Sequence, residues 1–164
     1  QIRAVGEGSN SSNMVSASVD HSRGGNITAR YITRKVTLEE GFDARDIRVY
    51  LNAYKPRGTN IYCYYKVMSG DDPESFEDKP YVIMSQDTSE GLFSLNKDDF
   101  KQYVYRTTDE VISYTDSAGA KYDKFRTFAV KIVFTLDRDV QTTFIGIPKI
   151  TDLRVVALDS EGKV

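Results

Sequence analysis

Ile47-Arg48-Val49-Tyr50-Leu51-Asn52-Ala53-Tyr54, Lys55-Pro56-Arg57-Gly58-Thr59-Asn60, Ile61-Tyr62-Cys63-Tyr64-Tyr65-Lys66-Val67-Met68: these twenty-two consecutive residues decide the fold. Both flanks alternate with the two-residue period of a strand whose two faces meet different surroundings. Ile47, Val49, Leu51 and Ala53 fall on one side of the first flank, and Arg48, Tyr50, Asn52 and Tyr54 on the other. In the second, Ile61, Cys63, Tyr65 and Val67 oppose Tyr62, Tyr64, Lys66 and Met68. Between them Pro56 presets φ at an early turn position, and Gly58 is free to take a positive φ. The pattern predicts a β-hairpin with one aliphatic and one Tyr-rich face.

The same pattern continues on either side. Ile27 to Leu38 reads as one long strand, with Ile32, Val36 and Leu38 on one parity. Short strands are expected at Tyr81–Ser85, Tyr103–Arg106 and Val111–Tyr114, and a single helical turn around Ser94–Phe100 with Asn96 as its cap. In Phe125–Leu136, Phe128, Val130, Ile132, Phe134 and Leu136 share a face; in Ile150–Leu158, Leu153, Val155 and Ala157 oppose Asp152, Arg154 and Val156. Alternating rather than solid apolar runs imply antiparallel sheets with one wet face. The expected fold is all-β, an antiparallel β-sandwich of jelly-roll type. Residues 1–25 are rich in Gly, Ser and Asn without a period and read as a flexible polar arm or linker; 26–164 read as one sandwich domain.

Composition narrows the function. Lys plus Arg number 22 against 24 Asp plus Glu, so no one-sign field draws nucleic acid or an anionic membrane. No apolar run approaches the length of a spanning helix. The single cysteine, Cys63, rules out an internal disulfide and sits where a small buried hydrophobe belongs. The single histidine, His21, lies in the polar leader, which leaves no base for a serine or cysteine triad within the domain. No glycine-rich phosphate cradle and no cofactor motif occur. Catalysis is therefore not expected.

Two groups of residues remain as candidate sites. The acidic loop Asp71-Asp72-Pro73-Glu74-Ser75-Phe76-Glu77-Asp78 offers Asp71, Asp72 and Glu74 as weak metal ligands, although its spacing is not that of an EF-hand. The plainer alternative is a solvated loop with Phe76 tucked under it. The second group is the tyrosine face: Tyr50, Tyr54, Tyr62 and Tyr64, with Asn52, Arg57 and Asn60 around the turn. Exposed, it would suit a protein interface or sugar stacking; alternatively, a neighbouring segment covers it and the tyrosines form a second core.

Several stretches together resemble a domain of virion structural proteins of T4-like tailed phages, notably those infecting cyanobacteria. They are Arg30–Leu38, Gly41–Tyr50, Tyr54–Ile61 with Tyr64-Tyr65-Lys66, Phe125–Val133 and Ile147–Leu158. The resemblance implies a component of the tail, baseplate or fibre, placed in the virion after assembly in the host cytoplasm. It implies other virion proteins as partners, a homo-oligomer in a symmetric assembly and no catalytic residues. The alternative function is a carbohydrate-binding module that recognises host surface glycans.

Overall fold

The computed structural model describes residues 27–87, 93–136 and 147–159. The polar leader, His21 and the turn at Gly24-Gly25-Asn26 lie outside the described residues. Six strands carry the architecture: β1 (Ile27–Ile32), β3 (Asp46–Tyr54), β4 (Thr59–Met68), β7 (Lys101–Arg106), β10 (Thr127–Leu136) and β11 (Lys149–Leu158). Two-residue strands fill the gaps: β2 (Val36–Thr37), β5 (Val82–Ile83), β6 (Ser85–Gln86), β8 (Tyr114–Thr115) and β9 (Lys121–Tyr122). One sheet runs β1-β10-β4-β5, with β2 also on β10; the other runs β11-β3-β7-β6; β8 and β9 form a separate small hairpin. Every pairing is antiparallel. The chain is an all-β sandwich, and this strand order does not by itself define the jelly roll expected from the sequence.

The core lies between the sheets. Ile47, Val49, Leu51 and Ala53 of β3 are fully buried, and they face Ile61, Cys63, Tyr65 and Val67 of β4 with Phe128, Val130 and Ile132 of β10. Tyr103 and Tyr105 of β7 complete it, and Tyr105 Oη donates to the Ile61 carbonyl at 2.9 Å, a hydrogen bond from one sheet to the other. Such a partner is what a buried phenol requires.

The predicted hairpin is not one. β3 pairs with β11 and β7, whereas β4 pairs with β10 and β5, so the segment Lys55–Gly58 crosses between sheets. The Lys55 amide donates to Ser94 Oγ at 2.9 Å, and the Lys55 carbonyl accepts from the Ser94 amide at 2.8 Å. That exchange takes the backbone groups a hairpin would have used. Gly58 adopts φ 85°, as the turn requires.

Four other expectations change locally; of the strand expected at Val111–Tyr114 only Tyr114 is paired, in β8 opposite Tyr122. The long first strand breaks after Ile32, because Thr33 Oγ1 accepts the Val130 amide hydrogen at 2.9 Å in place of a strand carbonyl. The turn expected at Ser94–Phe100 forms without becoming a helix: the Asp99 amide donates to the Asn96 carbonyl at 3.1 Å, and Asn96 Oδ1 accepts from the Asp98 amide at 3.0 Å. The segment expected at Tyr81–Ser85 divides between two sheets, with buried Met84 at the crossing and its amide donating to the Cys63 carbonyl at 2.9 Å.

Candidate functional site

Because β3 and β4 lie in different sheets, the tyrosine stripe is split. Tyr50, Asn52 and Tyr54 stand on the outer face of the four-stranded sheet, and Asn60, Tyr62 and Tyr64 on the outer face of the other sheet. Arg57 is exposed in the crossing, its guanidinium 5.8 Å from the Phe93 ring. The glycan set imagined around the turn, Asn52, Tyr54, Arg57 and Asn60, is therefore not one site.

On the five-stranded sheet a segment returns over the outer face. Ser75 caps a short 3-10 turn, Phe76–Asp78, that lowers Phe76 onto the sheet. Rings and ammonium groups then alternate across the face. Lys131 Nζ lies 4.6 Å from the Tyr64 ring and 4.6 Å from Tyr81; Lys66 Nζ lies 5.1 Å from Tyr81 and 5.0 Å from Phe76; Lys35 Nζ lies 5.6 Å from Phe76 on its other flank. A cation over a ring face is attracted to its quadrupole, more so when water is excluded. Lys66 is buried, its Nζ donates to the Glu77 carbonyl at 2.9 Å, and desolvation pulls its pKa below the ordinary lysine value. Tyr64 is thus half-buried under this roof, as the covered-face alternative describes, whereas Tyr62 stays 39% exposed.

The acidic loop holds a cation of its own making. Lys79 Nζ sits 2.6 Å from Asp72 Oδ2 and also binds the Glu74 carboxylate. Tyr114 Oη donates to Asp72 Oδ2 at 2.6 Å and accepts from the Ser69 amide at 2.8 Å; the Ser117 amide donates to Glu74 Oε1 at 2.9 Å. Burial alone would raise the Asp72 pKa, but the hydrogen bonds from Lys79 and Tyr114 hold it below the ordinary range. Hydrogen bonds from Lys79 and Ser117 bring Glu74 down to about 2. The ammonium occupies the position a metal ion would need. Asp71 points elsewhere, exposed and 3.9 Å from Lys124, and no three-ligand metal cluster exists among the described residues. Lys79, which closes the acidic run in sequence, was the available signal for this arrangement.

The remaining reactive groups are engaged structurally. Burial pushes the Cys63 thiol well above its ordinary pKa, so it packs as a hydrophobe. Asp43 accepts from Arg126 Nε at 2.9 Å and pairs with Lys124 at 3.2 Å. Between the open edges of the sheets lies a mostly apolar cleft of about 420 Å³ lined by Tyr31, Phe134, Pro148 and Ile150, with Asp152 at its rim. No helix among the described residues is long and apolar enough to cross a membrane. Compared with known protein families, with curated proteins and with solved structures, the chain matches none.

Proposed function

We propose that this domain works by contact rather than by chemistry, as a structural module of a tailed-phage virion that assembles with neighbouring virion proteins and with copies of itself. The residue resemblance supports the setting. The observation that carries the contact role is the outer face of the five-stranded sheet beyond its roof. There Ile83, 50% exposed, stands in register with Tyr64, and Tyr62 follows on the same face; Val82 lies exposed at the edge. Exposed aromatic and aliphatic side chains on a rigid strand face have the composition of an interface core. The β5 edge beside these residues has only two residues, too short to template another strand, so on this side association uses the face.

The test is light scattering after size-exclusion chromatography, on the wild type and on Tyr62→Ser combined with Ile83→Ser. The wild type is expected to form a defined oligomer, and the variant to be monomeric with an unchanged far-ultraviolet spectrum. A wild type that stays monomeric at all concentrations, or a variant that still assembles, defeats the reading.

A further inference from the structure

The outer face of the four-stranded sheet carries a constellation that the contact role leaves unused. In register it runs Val156, Arg48, Arg106, Ser85; then Arg154, Tyr50, Val104; then Asp152, Asn52, Gln102. Arg48 and Arg106 thus stand directly opposite one another, and like charges in that position repel unless an anion lies between them. Each guanidinium has one carboxylate within ion-pair range. Arg106 Nη2 is 3.3 Å from Asp87, and Arg48 Nε is 3.6 Å from Asp46, too far for a hydrogen bond. The buried Arg48 Nε has no hydrogen-bond partner at all.

A third guanidinium, Arg154, lies 5.2 Å from the Tyr50 ring. A guanidinium held over a ring face by its positive charge keeps N–H donors for a further acceptor, in a fork that matches an oxyanion. Beside this pair stand the Asn52 and Gln102 amides; Asn52 Nδ2 donates to Thr151 Oγ1 at 3.0 Å, and Thr151 Oγ1 donates to the Asn52 backbone carbonyl at 3.1 Å. Asp152 closes the far row with a negative charge, and Asp46 and Asp87 flank the other end, so an anionic group fits only between the Arg48 and Arg106 guanidiniums.

We propose that this face binds an acidic saccharide through its carboxylate or sulfate groups. Arg48 and Arg106 grip the oxyanion, the Arg154–Tyr50 pair flanks the sugar ring, and Asn52 and Gln102 read hydroxyls. An acidic peptide would need the cations alone; the ring platform and the two amides set among them are what a hydroxylated, cyclic ligand uses. This site lies on the opposite side of the sandwich from the proposed contact face, so each can fail without the other.

The experiment is a titration of the ¹⁵N-labelled chain, followed by amide shifts. The probes are a galacturonate tetrasaccharide, a sulfated heparin-derived tetrasaccharide, neutral cellotetraose and an octaglutamate peptide. Saturable shifts confined to β3, β7 and β11 are expected with one or both acidic sugars and none with cellotetraose; which acidic sugar binds identifies carboxylate or sulfate. Arg48→Gln with Arg106→Gln is expected to weaken binding at least about tenfold, as loss of charge-assisted bonds does, without lowering the melting temperature. Because Arg48 is partly buried, Arg106→Gln alone, at an exposed position, is expected to weaken binding in the same direction. Octaglutamate binding as tightly as the sugars, shifts on the other sheet, no shift with either acidic sugar, or full affinity in the variants would each overturn the proposal.

Discussion

The two outer faces of the sandwich carry similar side chains in different surroundings. On the five-stranded sheet, Lys66 and Lys131 lie beneath Phe76 and Tyr81, and the cations are shared among rings. On the four-stranded sheet no comparable column of rings lies over the arginines among the described residues; Arg106 and Arg154 are exposed. Parity alone made both faces look alike, a row of Tyr alternating with basic residues. What separates them is whether the chain returns overhead, and that depends on the loop between β4 and β5. Burial converts charge into internal structure on one side; exposure leaves charge available to a ligand on the other.

The most severe way to break the contrast is Lys79→Ala, at the base of the roof. Two acidic side chains lose their shared cation, and removal of one partner from a buried pair costs about 4 kcal/mol. Urea unfolding measures it. The pH profile sharpens the same point. Asp72 and Glu74 titrate lower in the folded chain than at their ordinary values of 3.8 and 4.5. Their contribution is therefore complete above pH 4.5 and lost as the pH falls toward about 2, the folded value of Glu74. The wild type is expected to lose stability across that window, and Lys79→Ala to lose less there.

Phe76→Ala removes one buried ring from the roof and is expected to cost about 3 kcal/mol. It also rehydrates Lys66, whose pKa should rise toward the ordinary lysine value in an NMR titration. The smallest effect belongs to the open face. Tyr50→Ser is expected to shift stability by no more than about 0.5 kcal/mol in thermal unfolding, as surface substitutions do. Equal costs for Phe76→Ala and Tyr50→Ser would erase the distinction between the faces.

Much of the fold was legible before any coordinates. The alternation of β3 matches its burial residue by residue, and the predicted inner faces of β4, β10 and β11 line the core. Phe76 is tucked under the acidic loop as one reading held. Pairing was not legible, because alternation reports which way a side chain points and not which strand lies alongside. A hairpin and a crossing between sheets present the same apolar set to the same core. Partners far along the chain distinguish them: β10 and β11 for the strands, and Ser94 for Lys55. The candidate set divides for that reason: Tyr50 and Tyr64 share a parity but not a sheet. Arg48 and Arg154 carried the parity signal of the open face, whereas their neighbour Arg106 became visible only through β7 pairing.

The crossing at Lys55–Gly58 also sets a schedule for biogenesis. β3 leaves the ribosome about a hundred residues before one of its two partners, β11, which pairs Lys149 with Tyr54 and Leu158 with Asp46. β4 likewise waits for β10, the pairing of Leu136 with Thr59 closing that ladder. No two of the six long strands that follow one another along the described chain pair together, and the local pairs β4–β5, β6–β7 and β8–β9 span only two residues each, so most loop closure precedes reward and folding is slow. Until β11 has been made, β3 carries a bare edge beside exposed apolar surface. The nascent chain is most vulnerable to aggregation during that interval.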